Sequence, residues 1–280
     1  MSHENPLLPR PATIQKIIPE TGDVKTFRLT LDDAEAMAAW HHEPGQLGML
    51  SVFGVGEAMF SISSSPTKRE YIEFSIKRMG KVTRALHELE AGCQVGLRGP
   101  YGNHFPYEKF KGKDLLFVGG GIGLAPLRSL IDFVLAEENR GDYGRVEILY
   151  GARSYDDLCF KDDVLDGWVR QPGTVVYTTI DQAEERWTGH VGFVPAYLKE
   201  VAPTPENKYA LICGPPVMIK FVMQALQKLG FREEQIYSTL ELRMKCGIGK
   251  CGRCNIGSKF VCLEGPVFNM VEIGQLPPEF

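Results

Sequence analysis

No apolar run in this 280-residue chain is long enough to cross a bilayer, and the opening MSHENPLLPRPATIQ lacks the cationic start and apolar core of a secretory signal. The expected location is therefore cytoplasmic, with no membrane partner and with thiols kept reduced. Basic runs are also missing and the net charge is −4, which leaves no electrostatic footprint for nucleic acid. Histidine is scarce: the six residues are scattered, none falls in a motif, and no Ser-His-Asp or paired-carboxylate arrangement supports hydrolysis. There is no internal repeat and no low-complexity segment. What is present is ordinary for a soluble globular protein, with 44% apolar and 24% charged residues. The length exceeds one hydrophobic core, so two domains and a small appendage are expected.

Cysteine is the exception. Seven is an odd number for a disulfide framework. Cys93, Cys159 and Cys213 are scattered, but Cys246, Cys251, Cys254 and Cys262 crowd into KCGIGKCGRCNIGSKFVC. C-x4-C-x2-C with a fourth Cys soon after is the plant-type spacing for a 2Fe-2S cluster. Four thiolates can surround one small inorganic core only if the backbone turns tightly, and Gly247, Gly249, Gly252 and Gly257 reach the positive φ that such turns need. Structural zinc and a pair of disulfides are the competing readings. Zinc usually brings paired C-x2-C knuckles or His, and the nearest His is His190; disulfides need an oxidising compartment. Spacing ranks the 2Fe-2S cluster first.

Upstream, residues 12–19, 24–31, 46–53, 59–63, 71–77 and 94–98 are β-rich runs separated by Gly, Pro, Asp and Ser. Strands at that density predict a small antiparallel β-barrel over 10–108, with one late helix at Thr83–Leu89. The charged stretch 105–113 reads as a linker. The pattern then changes: apolar strands at 115–118, 146–150, 175–180 and 209–213 alternate with helical stretches, which predicts an α/β domain with a parallel sheet over 113–240. The cluster segment is 241–280.

Two Gly-rich turns each end an apolar strand and precede a helix: Gly119, Gly120, Gly121, Ile122 and Gly123, and Cys213-Gly214-Pro215-Pro216. Small residues let a pyrophosphate approach the backbone, and the helix start offers free N–H groups. Pro126 falls in the first helical turn, where its missing N–H costs nothing. Both turns are expected on the carboxyl edge of the sheet, where ligands of open α/β sheets collect. Ordinary tight turns are the alternative.

The ordered motifs MFSISSSP, FSIKRMGKVT, GPYGNHF, VGGGIGLAP, YGARSYDDL and CGPPVM resemble the ferredoxin-NADP reductase superfamily over residues 10 to 240. With CGIGKCGRC, the chain looks most like the branch holding the electron-transfer subunit of dihydroorotate dehydrogenase, the gamma subunit of sulfhydrogenases and the small subunit of bifurcating NADH-dependent ferredoxin:NADP oxidoreductase. The resemblance implies an FAD on the barrel. Phe60, Ser61, Ile62, Ser63 and Ser64 match the motif beside the isoalloxazine, Tyr101 and Gly102 the flavin-side turn, Ile76, Lys77 and Arg78 the next FAD strand, and Gly80, Lys81, Val82 and Thr83 the phosphate motif. Thr83 is expected to cap a helix over 84–89. Many relatives carry Arg two residues before the flavin-motif aromatic; here that position is Ala58, with Lys77 or Arg78 as the compensating charge. Gly119 to Pro126 match the NAD(P) loop, and Cys213, Gly214 and Pro215 the motif near the nicotinamide. Asp181 stands where NADP-dependent relatives tend to show Ser-Arg. An acidic group there repels a 2′-phosphate and accepts a ribose hydroxyl, which favours NAD over NADP.

A nicotinamide delivers two electrons as hydride and a 2Fe-2S cluster takes one, and FAD reconciles the two counts. The expected function is a diaphorase subunit linking NAD(P)H, FAD and the cluster. It needs no catalytic side chain and has no terminal substrate site of its own. Electrons then pass to or from a partner such as a hydrogenase, a dihydroorotate dehydrogenase, a bifurcating flavoprotein or a heterodisulfide-reductase-type complex. A stand-alone oxygenase reductase and a non-enzymatic redox sensor are the alternatives.

Overall fold

The computed structural model describes residues 5–277. Six strands, β1 (Arg10–Pro19), β2 (Val24–Leu31), β3 (Leu47–Val52), β4 (Gly56–Ser61), β5 (Ile72–Lys77) and β6 (Gln94–Tyr101), form an antiparallel sheet in the order β4-β3-β6-β1-β2-β5. Its two edges meet. Ile62, just past β4, bridges to Phe74 of β5, and the Ser63 N–H donates to the Glu73 carbonyl at 2.8 Å. The sheet is thus closed into a barrel, as its strand density predicted, with Ile14, Phe27, Leu29, Leu50, Phe74 and Leu97 in its core. Two short helices interrupt it. α1 (Ala34–Ala38), capped by the Asp33 carboxylate on the Ala36 N–H at 3.0 Å, is too short to show a period in the sequence.

The second, α2 (Lys81–His87), corrects an expectation. The helix starts three residues before Arg84, so Thr83 is inside its first turn and is not the N-cap. Its hydroxyl reaches back to accept the Met79 and Gly80 N–H groups at 2.9 and 2.8 Å. The N-cap is Gly80, whose missing side chain hid the helix start from the sequence.

The stretch 105–113 is more than a tether, because Phe105 and Phe110 are fully buried in the next core. That core belongs to a seven-stranded sheet ordered β10-β9-β8-β7-β11-β12-β15. It contains β7 (Asp114–Gly120), β8 (Val146–Ala152), β9 (Thr174–Ile180), β10 (His190–Val191), β11 (Lys208–Cys213) and β12 (Ile236–Thr239), all parallel. Leu115, Phe117, Ile148 and Tyr150 face α3 (Leu124–Leu135), which breaks into α4 (Glu137–Arg140). Leu116, Val118 and Leu149 face α5 (Val194–Val201) and α6 (Pro216–Lys228) on the other side. Burial on both faces explains why these strands read as unbroken apolar runs.

After β12 the chain leaves the sheet, forms the cysteine loop and the small hairpin of β13 (Asn255–Ile256) and β14 (Lys259–Phe260), and returns as β15 (Val267–Asn269), antiparallel to β12. Met244, Cys254, Ile256, Val261, Cys262 and Phe268 bury themselves against Leu47 of β3, with Met59 and Tyr101 at the margin. The segment thereby touches the barrel and the parallel sheet at once.

Candidate functional site

Both Gly-rich turns lie on the carboxyl edge of the sheet, because β7 and β11 are neighbours with Gly119 opposite Cys213. The turns touch: a Cβ on Gly123 would lie 2.5 Å from Gly214 Cα. Gly121 has φ +53, so the chain turns there as Gly allows. The Cys213 thiol is buried, accepts from the Thr239 hydroxyl at 2.9 Å, and is pushed up to about 12 by burial, so it stays neutral. Asp181 follows β9, anchored by its N–H on the Ala152 carbonyl at 3.0 Å, with its carboxyl raised by burial. The nearby cations are occupied: Arg153 pairs with Asp157 at 2.8 Å, and Arg186 with Asp156 and Glu184.

On the barrel, Phe60 and Ser61 close β4 half-buried. Ser63 and Ser64 are fully buried and their hydroxyls are spent on the protein. Ser63 bonds Ser75 at 3.0 Å, Ser75 bonds Thr26 at 2.8 Å, and Thr26 donates to Glu20 at 2.8 Å. The Ser64 hydroxyl takes the Glu73 N–H at 3.0 Å, while its carbonyl takes the Ser129 hydroxyl of α3 at 2.8 Å. The Ser63 and Ser64 carbonyls, taken by Arg128 and Ser129 of α3, join this stretch to the nucleotide domain. Lys77 pairs with Asp23 at 3.3 Å and Arg78 is exposed. Ala58 lies mid-β4 opposite Leu50.

Sequence reasoning missed the charges that weld the domains. Arg128 of α3 donates to Glu73 at 2.8 Å, to Asp163 at 2.7 Å and to the Ser63 carbonyl at 3.3 Å. Each partner is remote in sequence, so no local pattern announces them.

All four cysteines of the loop are free thiols. Among the described residues no three Cys, His, Asp or Glu side chains converge as a single metal ion would require. The all-cysteine donor set in C-x4-C-x2-C order is that of a 2Fe-2S cluster. Backbone N–H groups point at sulfur: Ile248, Lys250 and Cys251 donate to Cys246 Sγ at 3.5, 3.3 and 3.4 Å, and Gly249 to Cys262 Sγ at 3.2 Å. Burial opposes ionisation of Cys246, yet these N–H groups bring its thiol down to about 7. Gly247, Gly249, Gly252 and Gly257 all have positive φ, which turns the N–H groups inward. Cys251 alone of the four is exposed. The donor set fits the cluster.

Three family models match in chain order: an oxidoreductase FAD-binding domain over 11–107, an oxidoreductase NAD-binding domain over 117–224, and the iron-sulfur cluster binding domain of dihydroorotate dehydrogenase B over 241–274. Sulfhydrogenase 1 subunit gamma of Pyrococcus furiosus is 38% identical over 99% of this chain and 96% of its own. A probable dihydroorotate dehydrogenase B (NAD(+)) electron transfer subunit of Thermococcus kodakarensis is 35% identical over 92% of this chain and 95% of its own. The chain belongs to this family of electron-transfer subunits. A structure of the NADH-dependent reduced ferredoxin-NADP oxidoreductase has the same fold, with TM-score 0.76 and 21% identity over 100% of this chain and 92% of that one. The electron-transfer subunit is an NAD(P)H-dependent oxidoreductase component that carries FAD and a 2Fe-2S cluster. Its relatives work as subunits of larger complexes. No helix among the described residues is long and apolar enough to cross a membrane.

Proposed function

We propose that this subunit takes hydride from NADH at the paired turns 119–126 and 213–215 and sends single electrons through the Cys246, Cys251, Cys254 and Cys262 cluster to a partner redox subunit. Phe60–Ser64, Ile76–Arg78, Gly80–Thr83 and Tyr101–Gly102 would hold the FAD. FAD supplies storage for two electrons and their release one at a time. The observation that carries the reading is the contact of the cysteine loop with the barrel at the flavin-side turn: Tyr101 packs on Gly247, next to the ligand Cys246. NAD is favoured over NADP because Asp181 is acidic and Arg153 and Arg186 are already paired with carboxylates.

The exit is at Cys251, the exposed ligand. Arg243, Lys245, Lys250, Arg253 and Lys259 surround it in sequence with no Asp or Glu between residues 243 and 259, in a chain whose net charge is −4. Such a local excess favours an acidic face on the partner. The partner is a catalytic subunit of the sulfhydrogenase or dihydroorotate dehydrogenase kind. Anaerobic titration with NADH and, separately, NADPH tests the reading by visible spectroscopy. Bleaching of flavin and cluster bands by NADH is expected; a flavin that NADH leaves oxidised would remove the enzymatic reading.

A further inference from the structure

Arg98, near the end of β6, is 5% exposed, and all five of its N–H groups are matched. Nε and Nη2 hold the Glu57 carboxylate at 3.3 and 2.6 Å. Nη1 donates to the Tyr101 hydroxyl at 3.1 Å and to the Cys246 carbonyl at 2.7 Å, and Nη2 also donates to the Lys245 carbonyl at 3.0 Å. Burying a guanidinium is costly unless every donor finds an acceptor. Here the barrel supplies only the carboxylate and the hydroxyl. The remaining acceptors are backbone carbonyls of the cluster loop, one of them on a ligand residue.

The surroundings make the same junction. A Cβ on Gly247 would lie 2.8 Å from the Tyr101 ring, so the loop backbone rests directly on that ring. Asn103, two residues on, donates from its side chain to the Glu264 and Val267 carbonyls at 2.7 Å each and accepts the Val267 N–H at 2.9 Å. Its own N–H donates to the Gly265 carbonyl at 2.6 Å. Residues 98–103 thereby hold the loop at its first ligand and just past its last.

We propose that Arg98 is a positioning residue for electron transfer. By fixing the Cys246 and Lys245 carbonyls against the flavin-side turn, it sets the separation and orientation of cluster and flavin. This rests on the functional reading above. Electron transfer depends steeply on that separation, whereas the turns proposed to hold the hydride donor, 119–126 and 213–215, lie on the carboxyl edge of the parallel sheet. Loss of Arg98 therefore acts on the second step.

The test is anaerobic rapid mixing of holoprotein with NADH, following flavin bleaching by absorbance and cluster reduction by freeze-quench electron paramagnetic resonance. In Arg98→Met the cluster signal is expected to lag flavin bleaching at least tenfold longer than in wild type, with an altered line shape from the loosened Cys246. Arg98→Lys, which can keep one carbonyl bond, is expected to recover part of the loss. An unchanged lag and line shape in Arg98→Met with full flavin and iron content overturns the proposal. Should Arg98→Met fail to retain its cluster, Glu57→Gln decides. That variant removes only the charged brace and is expected to lengthen the lag severalfold; wild-type lag and line shape there overturn the proposal equally. A wild-type cluster that NADH never reduces would sink the functional reading itself, while wild-type transfer with an indifferent Arg98 sinks this proposal alone.

Discussion

Gly123→Ala sets two physical effects against each other, and the structure decides the sign. Gly123 has φ −61 and ψ −11, ordinary right-handed helical angles at the start of α3. Judged on backbone alone, alanine should be tolerated, since replacing Gly with Ala at angles that Ala adopts freely gains about 0.4–1 kcal/mol through the unfolded chain. The neighbours reverse this. The new Cβ would lie 2.5 Å from Gly214 Cα, 2.6 Å from Gly214 N and 2.7 Å from the Cys213 carbonyl carbon. These are backbone atoms of the adjacent turn, and no side chain can rotate away. Ordinary contact between carbons needs about 3.5–4 Å, so one turn must move by about 1 Å. Overpacking of this kind costs about 1–3 kcal/mol. The net expectation is a loss of about 1 kcal/mol in stability, visible as a lower melting temperature. The functional loss should be larger, because both turns are proposed to hold the pyridine nucleotide and a displacement of about 1 Å can cost about 100-fold. NADH-driven flavin reduction should thus fall at least tenfold in kcat/KM with flavin content intact. A variant as stable as wild type with an unchanged kcat/KM would refute the claim that the two turns form one close-packed site.

Cys254→Ser should stop electron delivery beyond the flavin and leave flavin reduction by NADH in place; an NADH-reducible cluster in that variant would show the path to be wrong. Asp181→Ser should raise kcat/KM for NADPH relative to NADH several-fold, and an unmoved ratio removes the assignment. Lys250→Glu with Arg253→Glu should slow reduction of the anion ferricyanide and speed that of the cation hexaammineruthenium(III) at low ionic strength, with both effects fading in salt. Equal responses from the two acceptors would mean that electrons do not leave through the basic rim. Asp132 gives a pH prediction. Burial first, and then Asp163 and Glu73, lift its carboxyl to about 6 against the pull of Arg128. Its folded value is above its unfolded one, so its contribution to stability is present below about pH 4 and is lost as pH rises through 6. Asp132→Asn escapes that loss and should gain about 1 kcal/mol on wild type between pH 5 and 8, as two pH-dependent chemical melts would show.

Elements whose own side chains meet both core and solvent were legible in the sequence. β2 was read at its observed ends, Val24 and Leu31, because its inward residues alternate along the strand. The run Leu115 to Val118 was legible for the opposite reason, being covered on both faces. The cysteine spacing was legible as a candidate ligand set because the loop is built from neighbours in sequence. Illegible were the parts whose cause is remote. β15 is three residues long and becomes a strand only because β12 offers it an edge. Arg98 and Glu57 are separated by 41 residues, and neither sits in a pattern that marks it as buried. Ser63 and Ser64 match a cofactor motif, but a motif cannot say which way a hydroxyl points, and here both hydroxyls bond within the protein.

On the proposed reading, the topology makes the order of the redox groups a consequence of the fold. β12 ends at Thr239, whose hydroxyl bonds Cys213 in the turn proposed to meet the nicotinamide. The next residue, Leu240, donates its N–H to the Pro266 carbonyl at 2.8 Å, which closes the base of the cluster loop. The loop between them is pinned from the barrel side by Arg98, by Tyr101 against Gly247 and by Asn103, all within one turn of the flavin motif. Nucleotide edge, flavin turn and cluster loop are therefore fixed to one another through two short stretches, 98–103 and 239–240. A cluster domain on a flexible linker would have to find the flavin on each turnover. Here the return of the chain as β15 ties the loop to the parallel sheet, so that only the proposed partner at Cys251 would have to arrive by diffusion or by assembly.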